Sequence, residues 1–181
     1  MKNLVRLTLV IAAVSILTAF AVFEQAARSI DPDYTMKFST GLASGTFSGL
    51  KGTVLFSPAD LANSKINVTL DGSSINTGNS LKDTHAKDED WLDVAKFPLI
   101  KFSSTNIIKQ GSRYMVEGNL ELHGVTKAVK IPFDYTESNN KGVFSGDFSV
   151  NRGDYGVGKG MKAKMVGNDI KITFKIPTTK I

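Results

Sequence analysis

The chain has no cysteine, and its 181 residues include only two histidines. Without cysteine it cannot form a disulfide bond, a thiolate metal site, a thiol nucleophile or the modified cysteine of a bacterial lipoprotein. Two histidines are too few for one chain to build a multi-histidine transition-metal centre. These absences leave oxygen and imidazole chemistry, and they predict neither a bound metal nor a cofactor.

The residues needed for nucleophilic catalysis are also missing. Serines are plentiful, but no Gly-x-Ser-x-Gly segment places one of them on a nucleophile elbow. With only His85 and His123 available as bases, no Ser-His-Asp triad can be specified. His123 lies in a Leu-His-Gly-Val segment typical of a tight turn, where a stabilising hydrogen bond is the simpler role for its ring. We therefore expect no catalytic residues and a protein that is not an enzyme.

The N-terminus carries the pattern of an export signal, in which basic residues precede an apolar run of 17 residues from Leu7 to Phe23. As a helix this run would be about 26 Å long, which is short for a bilayer core of roughly 30 Å. Ala19-Phe20-Ala21 supplies the small residues that a signal peptidase requires. We expect residues 1–21 to be a signal peptide and residues 22–181 to be the mature domain, with a retained membrane anchor as the alternative.

The charge of the chain does not point to a nucleic-acid partner. The full sequence has 22 Lys and Arg against 17 Asp and Glu, a formal net charge of +5. Removal of residues 1–21 would take away Lys2 and Arg6, leaving 20 basic residues against 17 acidic ones and a net charge of +3. Such mild basicity is not the electrostatic footprint of a surface that binds DNA or RNA.

From Asp33 onward, apolar and polar residues alternate. Alternation places one set of side chains on each face of a β-strand. The pattern recurs in five runs, separated by turns rich in glycine, asparagine and serine that are typical of hairpins. The runs are Ile66–Leu70, Tyr114–Leu122, Val129–Tyr135, Phe144–Val150 and Ile170–Ile176. The body of the chain is therefore predicted to be an antiparallel all-β domain.

One stretch, Asn79 to Phe97, departs from this period. Acidic residues are interspersed there with leucine, tryptophan and valine, and the stretch ends at Pro98. Proline lacks a backbone N–H and restricts the residue before it, so Pro98 should end a helical run. We predict one or two short helices, inserted between strands at a place where they would cap or gate the interior.

A sheet with one apolar face must bury that face. A single domain of many strands with one helical excursion does so by closing into a barrel or by stacking as a sandwich. A barrel is the first prediction, because about eight strands enclose room for one small ligand, as in the lipocalins. The expected fold is a lipocalin-like antiparallel β-barrel with a short helical insertion.

An ordered series of segments resembles one known family over essentially the whole mature chain. The series consists of Thr46–Gly52, Phe56–Leu61, Ser74–Gly78, Lys82–His85, Phe97–Thr105, Gly118–Lys127, Phe148–Arg152 and Asp154–Gly156. In this order the segments resemble the YceI-like family, and together they are far more specific than any single motif. The resemblance implies a lipocalin-like barrel with an elongated apolar pocket, found in exported bacterial proteins, some of which hold a polyisoprenoid chain.

The resemblance also implies which apolar residues line such a pocket. On the strand pattern alone, these side chains could all be ordinary core. In a YceI-like barrel they are expected to face a lipid tunnel. The implied lining residues are Phe47, Phe56, Val68, Phe102, Val116, Phe133, Phe144, Phe148 and Phe174.

Lys82, His85 and Arg152 are the candidates for holding a ligand head group. The first two lie on the predicted helical insertion, and Arg152 ends a strand before a glycine-rich loop. If the lipid carries a phosphate, the planar guanidinium of Arg152 can make two charge-assisted bonds to it. Asp83 is an equal alternative partner for Arg152, which would make that pair structural.

These observations predict an exported lipid-binding protein, a carrier or reservoir for a polyisoprenoid or similar long apolar chain. Burial of each CH₂ contributes about 0.8 kcal/mol, so a long tail binds tightly with few polar contacts. The expected location is the periplasm or cell envelope, with membrane anchoring if the signal is retained. Two alternatives stay open: an envelope enzyme acting on a lipid head group, and a stress-related structural barrel filled by its own side chains. No nucleic-acid partner is expected, and a homodimer is left open.

Overall fold

The structure, a computed structural model, describes residues 27–158 and 166–181, which form ten β-strands and a short α-helix. The predicted signal peptide, residues 1–21, lies outside the described residues. Within those two ranges, no helix is both long enough and apolar enough to cross a bilayer. The strands are β1 (Ala27–Ile30), β2 (Thr35–Ser39), β3 (Ser44–Phe47), β4 (Leu50–Leu55), β5 (Lys65–Asp71), β6 (Leu99–Gln110), β7 (Arg113–Leu122), β8 (Val125–Ser138), β9 (Lys141–Asn151) and β10 (Asp169–Lys180). Helix α1 spans Ser80–Lys87, and short 3-10 turns cover Gly72–Ser74 and Arg152–Tyr155.

All ten strands belong to one antiparallel sheet that closes on itself. Its order is β1-β4-β5-β6-β7-β8-β9-β10-β2-β3, and β1 also pairs with β10. The first half of β10 pairs with β2 and its end pairs with β1, so β1 and β2 share one position around the barrel. Strands β3 and β4 share the next position in the same way. The predicted architecture is confirmed as a closed barrel of eight strand positions with one short helix.

The connections between strands lie at two opposite ends of this barrel. The closed end, as we call it, contains the entry of the chain at Ala27 and the connections 56–64, 111–112 and 139–140. The mouth contains the connections 40–43, 72–98 and 123–124 and the turn that begins at Arg152. Strand register therefore assigns the whole helical insertion to one end.

Inside the barrel, the predicted alternation is confirmed across neighbouring strands. Val68 on β5 pairs with Phe102 on β6, and Phe102 pairs with Leu120 on β7. Directly opposite residues of an antiparallel ladder share one face of the sheet. Farther along, a bulge between Ser104 and Asn106 shifts the register of β6. The extra residue keeps the apolar positions on both sides of the bulge directed inward.

The β7–β8 turn has the expected backbone chemistry. His123 and Gly124 have φ values of 53° and 74°, as a two-residue hairpin turn of type I′ requires. The His123 ring is not used within the turn, because its Nδ1 lies 3.2 Å from the carbonyl oxygen of Tyr155. The ring therefore makes a hydrogen bond, as predicted, and the partner lies outside the turn, so that the bond links the turn to the Arg152–Tyr155 segment.

A short helix forms in the insertion, as predicted, but it ends earlier than predicted. Helix α1 ends at Lys87 with Asp88 as its C-cap, well before Pro98. Tight turns follow, in which the amides of Trp91 and Asp93 both donate to the carbonyl oxygen of Asp88, at 3.0 and 2.9 Å. Asp93 has a φ of 47°, which is outside the right-handed helical region. Acidic residues at a helix C-terminus oppose the helix dipole, which explains why the helix stops at the acidic run instead of at the proline.

Candidate ligand-binding cavity

A cavity of about 720 Å³ occupies the interior of the barrel. Each strand from β1 to β10 contributes at least one side chain to its wall, and most of these side chains are aliphatic or aromatic. A chamber of this size is in the range of sites for small apolar molecules. The alternative of a barrel filled by its own side chains is therefore wrong.

Eight of the nine predicted lining residues belong to the cavity wall. They are Phe47, Val68, Phe102, Val116, Phe133, Phe144, Phe148 and Phe174. The two-residue period of the strands determines this placement, because it directs all of them to the inner face. Their contact with a ligand stays a prediction.

Phe56 is the exception, and its predicted role is corrected. It lies just past the end of β4 and is 1% exposed, but it does not belong to the cavity wall. Its ring packs against those of Tyr114, Phe133, Tyr135 and Phe144, with centroid distances of 5.4, 5.7, 4.7 and 5.0 Å. Such edge-to-face packing fills the space beneath the cavity. Phe56 is thus core at the closed end.

A partly buried ion pair lies beside these rings at the closed end. Arg28 is 2% exposed, and its Nη2 donates to Oε1 of Glu137 at 2.5 Å. Lys180 reaches the same oxygen at 2.9 Å. Burial raises the pKa of Glu137, but the hydrogen bonds from Lys180 and Arg28 outweigh burial and bring the pKa below its usual value. Burial raises the pKa of Tyr135, whose ring lies 5.3 Å from the Arg28 guanidinium carbon.

The ionisable side chains of the cavity wall lie mainly at the mouth. Lys82 and His85 come from α1, as predicted, and Asp88 and Asp90 come from the turn that follows it. All four are exposed to solvent. The head-group candidates predicted from the sequence did not include the two aspartates. The three-residue spacing of Lys82, His85 and Asp88 was the available signal, since residues three apart share a helix face.

Local hydrogen bonds fasten α1 to the rim of the barrel. The Asn79 Oδ1 accepts from the Lys82 amide at 3.1 Å and so caps the first turn. The Asp83 Oδ1 accepts from the Thr77 hydroxyl at 2.6 Å and from the Thr77 amide at 2.7 Å. These hydrogen bonds hold the pKa of Asp83 below its usual value. Because Asp83 is bonded to Thr77, the predicted alternative of an Asp83–Arg152 pair is not the arrangement seen.

The side chain of Arg152 is buried and forms hydrogen bonds within the protein. Its side chain belongs to the cavity wall, yet the residue is 3% exposed. Its Nε donates to the carbonyl oxygen of Gly167 and its Nη1 to that of Val157, both at 2.7 Å. Its Nη2 donates to Oδ1 of Asn168 at 3.3 Å. Arg152 therefore holds together the chain on either side of residues 159–165, and its contact with a ligand head group stays a prediction.

Trp91 connects this arginine to the insertion. Its ring lies 5.4 Å from the guanidinium carbon of Arg152, in the geometry of a cation–π contact. The next residue, Leu92, packs against both apolar clusters of the barrel. Helix α1 itself buries no residue completely. The insertion is thus positioned by the turn after the helix more than by the helix.

The mouth offers few groups for metal binding. Across residues 27–158 and 166–181, no three or more His, Cys, Asp or Glu side chains are grouped in a way that could hold a metal ion. His85, Asp88 and Asp90 bring one imidazole and two carboxylates to the rim of an apolar chamber. Chemically, such an arrangement can bind a long apolar molecule inside and contact its polar end at the rim.

The fold and the cavity together define a class: closed antiparallel barrels of lipocalin-like form that enclose an apolar chamber. The model of the YceI-like domain family matches residues 24–178. The chain therefore belongs to the YceI-like domain family, as the resemblance of its segments predicted.

Two relatives show the extent of the sequence similarity. Protein YceI of Salmonella arizonae is 39% identical over 87 residues, which are 48% of this chain and 46% of that protein. UPF0312 protein plu2095 of Photorhabdus laumondii is 39% identical over 85 residues, which are 47% of this chain and 44% of that protein. The chain thus spans about half the length of the curated relatives it matches.

Solved structures share the barrel at lower identity. BcnA of Burkholderia cenocepacia is 23% identical, with a TM-score of 0.79 over 83% of this chain and 99% of that chain. A polyisoprenoid binding domain from Saccharophagus degradans is 16% identical, with a TM-score of 0.68 over 85% of this chain and 98% of that chain. At these identities the comparison shows a common fold.

Proposed function

We propose that this protein binds the tail of a polyisoprenoid or a similar long-chain lipid inside its barrel and serves as a carrier or reservoir. The observation that carries the proposal is the chamber of about 720 Å³, whose wall is apolar and whose ionisable groups lie mainly at the mouth. A lipid with one polar end and a long hydrocarbon tail matches this distribution.

The energetics of tail burial support tight binding without specific polar contacts. Each CH₂ group moved from water into the chamber contributes about 0.8 kcal/mol. A tail of about twenty carbons would contribute about 16 kcal/mol, which exceeds a cost of association of roughly 4–15 kcal/mol. The Saccharophagus degradans domain of the same fold is described as binding polyisoprenoid, which supports this ligand class.

The proposed role is binding without covalent chemistry. The hydroxyls in the described cavity wall belong to Thr40 and Thr77. The Thr40 hydroxyl donates to the carbonyl oxygen of Ala43 at 3.2 Å, and the Thr77 hydroxyl donates to Asp83 at 2.6 Å. Asp83 also accepts from the Thr77 amide at 2.7 Å, and these bonds hold the pKa of its carboxyl below its usual value. A carboxylate with a lowered pKa is a poor general base, so these contacts favour the carrier over the envelope enzyme.

The proposed location is the periplasm or cell envelope. Its support is the basic start and apolar run of residues 1–21, together with the small residues Ala19 and Ala21. Intact-mass measurement of the chain recovered from the envelope tests this: the expected mass is that of a chain starting just after Ala21, and a mass that includes Met1 would contradict cleavage.

A charge placed in the chamber tests lipid binding. Phe148 lies in the cavity wall, and its neighbour Ser149 is exposed on the outer face of β9. We expect Phe148→Asp to abolish lipid copurification, because a carboxylate in an apolar chamber would have to lose its hydration. Ser149→Asp is the matched control, since it adds the same side chain one residue away but in water.

The measurement is native mass spectrometry of each variant purified from its own envelope, followed by lipid extraction. Circular dichroism must show the same β-fold in both variants. A folded Phe148→Asp variant that still carries lipid at the wild-type level would overturn the assignment of the chamber as the binding site.

A further inference from the structure

The mouth combines charges of both signs. Among the described residues, six ionisable ones contribute to the cavity wall: Lys82, His85, Asp88, Asp90, Lys101 and Arg152. Whether a lipid with an anionic head group fits here depends on which of these charges are already paired within the protein.

Two of the three cations have internal partners. Arg152 donates to the carbonyl oxygens of Gly167 and Val157 and to the side chain of Asn168. Lys101 forms an ion pair with Glu121 at 2.9 Å. Neither side chain is available to bind a phosphate without first losing these bonds.

Among the described residues of the rim, the charges that remain are one lysine and two aspartates. Lys82, Asp88 and Asp90 are all exposed. An anionic head group would gain one attraction and meet two repulsions. An uncharged head group meets neither, and the imidazole of His85 offers it a hydrogen-bonding partner.

We propose that the mouth selects lipids whose polar end is uncharged and hydrogen-bonding, such as a hydroxyl, over lipids that end in a phosphate. The inference rests on the proposed function, because it concerns the polar end of a lipid whose tail lies in the chamber. Asp88 and Asp90 are then residues that determine specificity, acting against phosphate.

The test compares two probes that share one tail, geranylgeraniol and geranylgeranyl monophosphate, on the delipidated full mature chain at pH 7.5. Trp91 is the single tryptophan of the chain and belongs to the cavity wall, so its fluorescence reports binding. Equilibrium dialysis measures the affinity for each probe a second time, without relying on the fluorescence signal. We expect wild type to bind the alcohol at least as tightly as the monophosphate.

The double variant, which carries Asp88→Asn and Asp90→Asn, tests whether these two carboxylates weaken the binding of the monophosphate. We expect it to bind the monophosphate about threefold to tenfold more tightly than wild type does, as expected for the loss of two exposed like-charge contacts. Its affinity for the alcohol should change by less than about twofold, since an uncharged end does not sense the lost charges. Glu89→Gln is the matched control, because Glu89 is exposed in the same turn but is not part of the cavity wall.

Three outcomes would overturn the inference. Wild type could prefer the monophosphate, the double variant could leave the ratio of the two affinities unchanged, or Glu89→Gln could shift that ratio as much as the double variant does. Failure of both probes to bind folded wild type would instead refute the proposed function itself, and the inference with it.

Discussion

The closed end and the mouth of the barrel are stabilised by different kinds of contact. At the closed end, Phe56 packs against four aromatic rings and Arg28 is buried beside Glu137. At the mouth, α1 has no fully buried residue. It is held by the hydrogen bond that Asn79 accepts from the Lys82 amide and by the one that Thr77 donates to Asp83. One end excludes water from a packed core, whereas the other leaves polar groups in contact with solvent.

This difference separates stability from binding. Tight apolar packing supplies most of the free energy that keeps a barrel folded. Elements held by a few exposed hydrogen bonds open at low free-energy cost and are suited to ligand entry. A protein that must admit a long molecule at one end therefore benefits from concentrating its packed core at the other.

The largest expected effect is on Phe56. Its ring is 1% exposed among aromatic neighbours, so Phe56→Ala leaves a void that the barrel cannot readily fill. We expect the free energy of unfolding to fall by about 3–5 kcal/mol, measured by urea unfolding followed by circular dichroism. The matched variant is Phe148→Ala, whose ring already borders the chamber. Phe148→Ala should lower the free energy of unfolding by less, about 1–2 kcal/mol. Equal losses would mean that the wall of the chamber is packed as tightly as the closed end.

An intermediate effect is expected on the pH dependence of stability. The pKa of Glu137 lies below its ordinary value of 4.5 in the folded protein, despite burial, because of the bonds from Lys180 and Arg28. A lowered folded pKa means that the ionised carboxylate stabilises the fold above about pH 4.5 and that this contribution is lost as pH falls through the folded pKa.

Glu137→Gln removes this contribution, and we expect it to lower the free energy of unfolding by about 1–3 kcal/mol at pH 7. The difference between wild type and variant should shrink as pH is lowered from 5 toward 3. Urea unfolding at several pH values measures it. Asp31 and Asp71, whose pKa values are also lowered, cancel in the difference because both proteins carry them. A difference that stays constant over this range would contradict an ionised, stabilising Glu137.

The smallest expected effect is on the mouth. Asn79→Ala removes the cap of α1, which is worth about 0.5–2 kcal/mol to the helix. Because the helix buries no residue completely, the loss should appear as faster amide exchange in Ser80–Lys87, with the urea midpoint of the barrel unchanged. Asn79→Ser, which retains a capping oxygen, is the control. A shift of the global midpoint as large as that of Phe148→Ala would show that the mouth and the barrel unfold as one unit.

Much of the barrel could be predicted from sequence because strand patterning is local. The alternating runs at Ile66–Leu70 and Tyr114–Leu122 became β5 and β7, and eight of nine inward positions face the chamber. The insertion was less predictable. Its leucines and Trp91 suggested helix as far as Pro98, but Leu92 and Trp91 instead contact the barrel and Arg152 from turns.

The roles of Phe56 and Arg152 show where prediction from the sequence ended. Phe56 has the same residue type and a similar strand context as Phe47, yet Phe56 is core and Phe47 borders the chamber. They differ in their position along the barrel: Phe56 follows β4 at the closed end, whereas Phe47 lies on β3, which starts at the mouth. Arg152 likewise meets carbonyl oxygens of residues up to 15 positions away in sequence, and no spacing predicts those partners.

By itself, the sequence determined the β-class, the inward set of apolar residues and the family, because period-two patterning and turn residues act through neighbours along the chain. Only the tertiary structure decided that the barrel encloses a chamber, which end is packed, and that Asp88 and Asp90 reach the mouth while Arg152 is occupied within the protein. Those properties depend on strand closure and register, which bring together residues far apart in sequence and are satisfied only when the whole sheet has formed.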